Sequence, residues 1–400
     1  MIQGFGTGAS MAGRLKEIAV DASAPIRTHM RLADLETPAL LLDAAKMRAN
    51  IARMNAAMAR HGVALRPHLK TGKSVEAARA MIEGWPGGVT VSTLKEADQF
   101  FAAGFRDILY AVGIAPNKLP HVAALTRRGA DLSLILDSVA AAEAVAAFAR
   151  AEGLTLPVLI EIDSDRHRAG VAPDDVGLLT AIASRLADGA ELRGVMTHGG
   201  GSYDAPGADR IAAHAELERS GTVRAAEALR AAGFACPVVS VGSTPTALFA
   251  RDLTGVTEVR TGVYVFQDLV MAGLGVCAVD DIAISVAASV IGHQPERGWL
   301  ITDAGWMALS RDRGTQTHAI DQGYGLVSGH DDLIVISANQ EHGIVADRHG
   351  RPLDLTRFPI GTLLRILPNH ACATAAQHDR YHVLDGGEDA LQVWPRFGGW

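Results

Sequence analysis

Lysine is scarce in this chain, so few residues could supply an amine for covalent chemistry. Six lysines occur, and these are Lys16, Lys46, Lys70, Lys73, Lys95 and Lys118. Lys70 stands apart from the others, because it ends an apolar run directly behind Pro67 and His68. A positioned lysine amine can form a Schiff base with a carbonyl compound. The alternative is a solvated surface lysine, which is the usual place for this residue.

Two short segments combine glycine with small neighbours that suit an anion. They are Gly242-Ser243-Thr244 and Thr261-Gly262-Val263. Backbone N–H groups in such turns can approach a phosphate closely, and the hydroxyls of Ser243 and Thr244 add further donors. The two segments therefore indicate a phosphate site, and the alternative is a pair of ordinary glycine turns.

His370 and Cys372 stand two residues apart near the end of the chain. An imidazole and a thiolate at this spacing can share one divalent ion, and zinc suits that pair of ligands. Two ligands are too few for a closed structural site, so the pair would belong to an open, catalytic one. The alternative is a turn histidine beside an inert cysteine. Cys236 and Cys277 lie in apolar surroundings and are expected to serve packing alone.

Eight β-like runs alternate with amphipathic helical segments between about residues 36 and 265. The runs are 63–68, 88–92, 107–112, 132–137, 157–163, 192–198, 236–243 and 257–262. This alternation predicts an α/β fold, namely a (β/α)8 barrel. An open doubly wound sheet is the less favoured alternative, since no G-x-G-x-x-G follows the first strand.

The barrel brings the residues named above together, because barrel active sites lie at the carboxyl ends of the strands. Lys70 follows the first predicted strand, and the two glycine-containing segments end the seventh and eighth. A lysine that faces a phosphate site across a barrel mouth is the arrangement expected for pyridoxal phosphate.

The chain changes character after about residue 275, where short apolar runs are separated by Gly, Asp and Pro. We therefore expect a barrel over residues 36–275 and an all-β domain over residues 276–400 that carries His370 and Cys372. Residues 1–35 have no clear assignment. The segment 38–62 is expected to link the two domains.

Composition excludes several classes of partner. The formal net charge of -7 and the pI near 6.1 argue against binding to nucleic acid or to an anionic membrane. We find no apolar run of 18 residues and no secretory signal pattern at the N-terminus. Three cysteines in 400 residues exclude a disulfide scaffold and predict a cytoplasmic location.

Several long motifs make the chain recognisable as a resemblance. They are RPHLKTGKS, VTVSTLKEADQFFAAG, EIDSDRHRAGV, VSVGSTPTA, TEVRTGVYVF, DAGWMALSRDRG, ANQEHG and LRILPNHACAT. From about residue 34 to residue 400 the chain resembles the fold-type III pyridoxal phosphate enzymes, the alanine racemase-like barrel group. Within that group it looks like the branch of D-serine dehydratase and D-threonine aldolase.

The resemblance implies a role for each matching residue. Lys70 matches the Schiff-base lysine, and Lys70, His198 and Tyr203 match the catalytic positions. The cofactor contacts implied are Arg168 at the phenolic oxygen, His198 beside the ring, Tyr203 after it, Arg260 at the pyridine nitrogen, and Ser243, Thr244, Gly262 and Val263 around the phosphate. His370 and Cys372 match the metal pair, which would hold zinc or, alternatively, manganese. Related chains often carry histidine where this one has Gly72, so any role of that histidine would need another group or water here.

The activity that the resemblance implies is dehydration of a D-3-hydroxy amino acid, such as D-threo-3-hydroxyaspartate or D-serine, to a 2-oxo acid and ammonia. One alternative is retro-aldol cleavage to glycine and an aldehyde, and a second is a non-catalytic protein that binds pyridoxal phosphate. His-x-Cys at the metal resembles the dehydratases, whereas the aldolases often carry His-x-Asp. A racemase is disfavoured, because racemisation has no use for a metal at the β-hydroxyl.

The resemblance also implies a homodimer whose active sites are completed by the partner's β-domain. Tyr324 could be such a contribution, or it could be a tyrosine that packs between strands. A second substrate carboxylate would require a cation, for which Arg311 and Arg313 are candidates, although both could equally lie on the surface.

Overall fold

Two sheets organise the chain, one of eight strands and one of ten. The structure is a computed structural model that describes residues 26–27, 30–85, 87–387 and 391–400. Most of the segment 1–35, for which the sequence predicts no structure, lies outside the described residues. No helix in the described ranges combines the length and the apolar character needed to cross a bilayer.

The strands and helices are as follows. The strands are β1 (Ile26–Arg27), β2 (Ala39–Asp43), β3 (Ala64–Pro67), β4 (Val89–Val91), β5 (Asp107–Gly113), β6 (Asp131–Leu136), β7 (Pro157–Ile162), β8 (Glu191–Thr197), β9 (Val238–Val241), β10 (Glu258–Thr261), β11 (Ile284–Gln294), β12 (Trp299–Thr302), β13 (Leu326–Val327), β14 (Leu333–Ala338), β15 (Gly343–Asp347), β16 (Leu363–Leu367), β17 (Arg380–Leu384) and β18 (Gln392–Pro395). The α-helices are α1 (Ala44–His61), α2 (Val75–Ile82), α3 (Leu94–Ala102), α4 (Leu119–Arg127), α5 (Val139–Glu152), α6 (Val176–Leu186), α7 (Ala208–Ala231), α8 (Thr244–Phe249), α9 (Leu269–Gly273), α10 (Trp306–Leu309) and α11 (Ala371–Ala375).

The eight-stranded sheet confirms the predicted barrel. Its order is β3-β10-β9-β8-β7-β6-β5-β4, and the paired strands run parallel. An isolated parallel bridge between His68 and Thr90 nearly closes the ring between β3 and β4. Each of the eight predicted β-like runs overlaps one of these strands.

The interior of the barrel contains both an apolar cluster and buried polar side chains. Leu109, Ile135, Leu159 and Met196, from β5 to β8, form a separate buried cluster. Across the barrel, β3, β9 and β10 contribute charged and hydroxyl side chains, among them the buried Arg260. Buried polar groups are stable only when they are hydrogen-bonded, so these side chains must form their own network.

The link between the domains begins inside the ten-stranded sheet. β2 pairs in parallel with β17 and antiparallel with β11. The apolar run of β2 therefore packs between two strands of the ten-stranded sheet, and the boundary at residue 36 stays a prediction. Helix α1 follows at once, with the Asp43 side chain accepting a hydrogen bond from the backbone N–H of Lys46 at 3.0 Å. It ends at His61 and is capped by Gly62, whose φ of 65° is the left-handed conformation that glycine adopts readily.

The ten-stranded sheet runs in the order β1-β18-β17-β2-β11-β12-β15-β14-β13-β16. The eleven-residue strand β11 also pairs with β16, so the strands from β11 to β16 close on themselves. The two α-helices of this part, α10 and α11, have four and five residues, in line with the all-β prediction. One of them, α11, begins directly after His370 and contains Cys372.

The end of the chain returns to the barrel and packs on helix α3. Phe397 follows β18, and its backbone N–H donates to the carbonyl oxygen of Lys73 at 3.0 Å. Its ring meets that of Phe100 edge-on, with the centroids 5.0 Å apart, and Phe105 completes the cluster at 5.5 Å from Phe100. This contact joins the β-domain to the segment that follows Lys70.

The substitution Phe100→Ala is expected to lower the free energy of unfolding by about 3–5 kcal/mol, the usual range for a buried phenylalanine. The ring is fully buried, so its loss leaves a cavity between barrel and tail. Urea denaturation followed by fluorescence measures the change. The control is Leu217→Ala, at a leucine that is 49% exposed, for which a change within about 0.5 kcal/mol is expected. A loss under 1 kcal/mol for Phe100→Ala would contradict the prediction.

Candidate active site

A cavity of about 680 Å³ opens at the carboxyl ends of the barrel strands and reaches the β-domain. All eleven predicted site residues line it, and these are Lys70, Arg168, His198, Tyr203, Ser243, Thr244, Arg260, Gly262, Val263, His370 and Cys372. Proteins place ligand sites in cavities of this size and position. The structure thus brings the predicted residues together, and their individual roles remain predictions.

Lys70 lies next to the metal pair proposed from the sequence. It follows β3, and its neighbour Thr71 is buried with its hydroxyl 3.2 Å from the Sγ of Cys372. The Lys70 side chain is exposed to the cavity. The residue that follows Lys70 therefore contacts Cys372 of α11, which belongs to the other domain.

The two glycine-containing turns provide unused backbone donors. The hydroxyl of Thr244 is already engaged with Thr261 at 2.6 Å and with the N–H of Tyr264 at 3.1 Å. The backbone N–H groups of Thr244, Gly262 and Val263 have no partner among the described residues. Unmade N–H donors grouped at one end of a cavity suit an anion such as phosphate.

Glycine is required on both turns because the backbones approach closely. A Cβ at Gly242 would lie 2.6 Å from the carbonyl oxygen of Arg260, and the φ of 126° at Gly242 already disfavours other residues. A Cβ at Gly262 would lie 3.0 Å from the carbonyl oxygen of His68. The two glycines thus keep open the space beside the free N–H groups, and the residues present fit a phosphate-bearing cofactor.

His198 is held as a neutral ring. Burial, together with the nearby positive charge of Lys70, lowers the pKa of His198 to about 3. Its Nδ1 lies 3.2 Å from the carbonyl oxygen of Gly242, which can only accept, so Nδ1 carries the hydrogen. Burial and the charge of Lys70 also lower the pKa of His68. Two neutral imidazoles therefore lie beside the lysine.

Arg260 is one of the buried polar side chains of the barrel interior. It donates to the Ser240 hydroxyl at 2.5 Å and to the carbonyl oxygen of Thr197. Ser240 in turn donates to Glu258 at 2.6 Å. Burial lowers the pKa of Arg260 to about 10, so it still carries its charge at neutral pH. Arg260 therefore places a fixed positive charge at the wall of the cavity.

Glu218 is a buried residue that holds the segments after β8 and β9 together, and no sequence motif indicates it. Its carboxyl accepts hydrogen bonds from the N–H of Gly199 at 3.1 Å and from the hydroxyl of Thr246 at 2.8 Å. Thr246 lies 3.0 Å from the hydroxyl of Ser243. Burial raises the pKa of Glu218 to about 8. This contact links helix α7 to the segment after β9.

Arg168 and Tyr203 lie on segments that follow β7 and β8. Arg168 is exposed and lines the cavity. Burial raises the pKa of Tyr203, so its phenol stays protonated. The ring centroids of Tyr203 and His198 are 6.4 Å apart. Both segments thus present a donor to the cavity.

His370 and Cys372 form a pair that a third side chain orients. The Nδ1 of His370 lies 2.6 Å from a carboxylate oxygen of Asp312. Burial disfavours the charged ring, but hydrogen bonds to Asp312 and Cys372 outweigh it and raise the pKa of His370 to about 11. Burial also opposes the Cys372 thiolate, yet His370 and Lys70 lower the thiol pKa overall. The pair therefore shares a proton, at a position that a metal ion can take instead.

The chemistry of this donor set fits a divalent ion with an open coordination sphere. A carboxylate that fixes one imidazole nitrogen is the usual support for a metal-bound histidine. No group of three His, Cys, Asp or Glu side chains that could share an ion occurs in the described ranges. Two protein ligands would leave positions for water and for a substrate oxygen.

Other sequence candidates lie away from the cavity. Arg313 pairs with Asp321 at 2.5 Å and stacks on the ring of Tyr324, and Arg311 lies over Trp306. None of Arg311, Arg313 and Tyr324 lines the cavity of this chain.

Gly72 also lies off the cavity. Its carbonyl accepts from Tyr381 at 2.7 Å and from Arg396 at 3.1 Å, both in the β-domain. Position 72 in this chain therefore serves the contact between domains.

Comparison with known proteins agrees with these features. Residues 42–269 match the alanine racemase N-terminal domain, and residues 283–384 match the putative serine dehydratase domain. The chain is 57% identical over 377 residues to D-threo-3-hydroxyaspartate dehydratase of Delftia sp. strain HT23, which covers 92% of this chain and 99% of that one. It is 32% identical to D-serine dehydratase of Dictyostelium discoideum, over 90% of this chain and 95% of that one. D-threonine aldolase of Arthrobacter sp. is 29% identical, over 91% and 94%.

Solved structures show the same likeness. The Delftia dehydratase superposes with a TM-score of 0.91 at 57% identity, over 92% of this chain and 100% of that chain. A cysteine-to-alanine variant of D-threo-3-hydroxyaspartate dehydratase in its metal-free form also gives a TM-score of 0.91, at 56% identity, over 93% of this chain and 100% of that one. The fold and the arrangement of the two domains are therefore those of these enzymes.

Proposed function

Because the chain belongs to the alanine racemase-like, fold-type III family that carries a serine dehydratase domain, we propose that it dehydrates D-3-hydroxy amino acids. D-threo-3-hydroxyaspartate would give oxaloacetate and ammonia, and D-serine would give pyruvate and ammonia. The enzyme is then a carbon–oxygen lyase. The observation that carries the proposal is the contact between Thr71 and Cys372, which joins the lysine end of β3 to the metal pair in one cavity.

The residues that would hold pyridoxal phosphate follow from the free donors of the cavity. Lys70 would bind its aldehyde carbon, and the N–H groups of Thr244, Gly262 and Val263 would bind its phosphate. Arg168, His198, Tyr203, Ser243 and Arg260 would surround the ring and its substituents. The bound cofactor would accept the electron pair left on Cα, and a metal, which we propose to be zinc with manganese as the alternative, would polarise the substrate's β-hydroxyl.

The side chains of the cavity have separate roles in the proposed reaction. The Nζ of Lys70 takes the Cα proton of the substrate. His370 and Cys372 hold the β-hydroxyl side of the substrate, and Asp312 fixes the imidazole. The neutral His198 donates from Nδ1 to Gly242, so it positions a ring without adding charge. Loss of the Cα proton and the β-hydroxyl as water leaves an enamine, and a second water converts it to the 2-oxo acid and ammonia.

Product analysis tests the proposal. D-threo-3-hydroxyaspartate, D-serine and D-threonine are supplied separately, and 2-oxo acid, ammonia, glycine and aldehyde are measured. Equal amounts of 2-oxo acid and ammonia are expected from the first two substrates. Glycine and aldehyde without ammonia would replace the dehydratase by an aldolase. Cofactor absorption without turnover of any substrate would indicate the non-catalytic alternative.

The substitution Asp312→Asn is expected to weaken metal binding by about 10–100-fold, the usual effect of losing a carboxylate behind a metal-bound histidine. The amide can still accept one hydrogen bond, but it no longer holds the ring with a charge. Titration of the metal-depleted protein with zinc gives the affinity. Asp331→Asn, at an exposed position of the same domain, is the control and is expected to bind zinc like the native chain. Equal affinities for the two variants would show that Asp312 has no part in the site.

We also propose a homodimer located in the cytoplasm. The resemblance supports the dimer, and the three free cysteines support a reducing compartment. Light scattering at micromolar concentration, where a single-chain mass of 42.0 kDa would contradict the dimer, tests the assembly.

A further inference from the structure

The cavity contains a histidine that the proposed chemistry does not use. His318 lines it, on the segment between α10 and β13 of the β-domain. Its Nδ1 is buried without a hydrogen-bond partner in the described part of the chain. Its Nε2 makes no hydrogen bond to the described residues either. Thr317, an exposed residue with a free hydroxyl, lines the cavity beside it.

The segment that carries His318 is fastened to the metal pair. Asp312 bonds to His370 at 2.6 Å, and the hydroxyl of Thr315 donates to Asn369 at 2.6 Å. The backbone N–H of His318 then donates to the carbonyl oxygen of Thr315 at 3.0 Å. His318 is thereby held at a fixed place relative to the pair.

The imidazole of His318 packs against Gly273. A Cβ at Gly273, the last residue of α9, would lie 2.3 Å from the Nδ1 of His318. The ring therefore rests directly on the backbone of α9, which leaves little freedom for that edge. The edge that carries Nε2 is then the one able to bind a ligand in the cavity.

The charges of the cavity favour one use for this ring. Asp268 and Asp312 bring negative charge to the β-domain side, Lys70 and Arg168 are taken by the proposed cofactor, and Arg260 is enclosed by protein acceptors. A substrate whose β-hydroxyl lay at His370 and Cys372 would have its Cβ in the same cavity as His318 and Thr317, whose segment is hydrogen-bonded to His370 through Asp312. A carboxylate on Cβ needs a donor there, since an anion left unpaired in such a site is costly.

On the basis of the proposed function, we infer that His318, with Thr317, forms the subsite for the distal carboxylate of a dicarboxylic substrate. This assigns to His318 the role that the sequence suggested for Arg311 or Arg313. It makes the chain selective for 3-hydroxyaspartate over D-serine, which has hydrogen in that position.

The test is the ratio of kcat/KM for D-threo-3-hydroxyaspartate to that for D-serine. His318→Ala is expected to lower the ratio by about 10–100-fold, the effect of removing a hydrogen bond to a charged group. Gln316→Ala is the control, because Gln316 is an exposed residue of the same segment that does not line the cavity. Its ratio is expected to stay within twofold of the native one. A ratio that changes less than threefold in His318→Ala, or that falls equally in both variants, overturns the subsite.

A second variant reaches the ring without removing it. Gly273→Ala adds a methyl group where the Nδ1 of His318 lies, so the ring must move and the ratio is expected to fall by several-fold. An unchanged ratio in soluble Gly273→Ala protein would contradict the proposal that packing against Gly273 positions the His318 ring for the substrate. If the native chain dehydrates D-serine at least as well as the dicarboxylate, the subsite fails while the proposed function stands. If the native chain dehydrates neither, the proposed function itself fails.

Discussion

Lys70→Ala is expected to lower kcat/KM for dehydration of D-threo-3-hydroxyaspartate by at least about a thousandfold, because it removes both the covalent anchor of the cofactor and the base for the Cα proton. The visible absorption of the lysine-bound cofactor should disappear with it. The structure supports this size of effect, since the other described lysines do not line the cavity. Absorption spectra and initial rates measured on the same preparation report the two losses together.

A matched control separates the role of Lys70 from the general effect of losing a lysine. Lys46 lies in the first turn of α1, away from the cavity, and alanine suits a helix there. Lys46→Ala should keep the absorption band and the rate of the native chain. An absorption band that survives in Lys70→Ala would mean that another lysine anchors the cofactor. Methylamine added to Lys70→Ala should restore part of the rate if the lost amine is the base.

Removal of the metal is expected to reduce the dehydration rate by at least about a hundredfold, since Lewis-acid assistance to a leaving hydroxyl contributes several kcal/mol. The cofactor absorption should remain, because none of its proposed contacts is His370 or Cys372. Dialysis against a chelator, followed by addition of zinc or manganese, measures the loss and its recovery. His370→Ala and Cys372→Ala should reproduce the loss without recovery.

The control for these two variants is His349→Ala, at a histidine on the surface of the same domain. It should behave like the native chain through depletion and recovery. Full activity after exhaustive depletion, with metal content measured below a tenth of the protein concentration, would show that the reaction needs no metal. His370 and Cys372 would then have to act on the substrate directly, with His370 hydrogen-bonded to Asp312.

The barrel and most of the proposed site could be predicted because their signals are local. Eight apolar runs separated by helical segments indicate the strands, and Lys70, the glycine turns and the pair at His370 and Cys372 each stand in a short recognisable motif. Barrel geometry then brings the carboxyl ends of the strands to one face. The predicted residues line one cavity because local motifs identify them and the barrel brings them to the same face.

The supporting residues could not be predicted, because their partners are far away along the chain. Asp312 meets His370 across 58 residues, and Glu218 meets Thr246 across 28. Glu218 stands in none of the recognisable motifs, and Asp312 stands in DAGWMALSRDRG, where nothing distinguishes it from a surface carboxylate. Arg313 shows the reverse error, since its charge suggested a ligand and the fold pairs it with Asp321.

The position of β2 has a consequence for how the chain acquires its structure. The barrel is an insertion between two neighbouring strands, β2 and β11, of a sheet whose other strands, except the two-residue β1, come from the last third of the chain. During synthesis β2 must wait for some 240 residues before either neighbour exists, and contacts of such long sequence separation form slowly. Once these contacts form, the sheet holds the chain both before the barrel, at β2, and after it, at β11. The catalytic groups of the two domains are then held by two covalent crossings, so cleavage after residue 275 would leave the barrel still attached through β2.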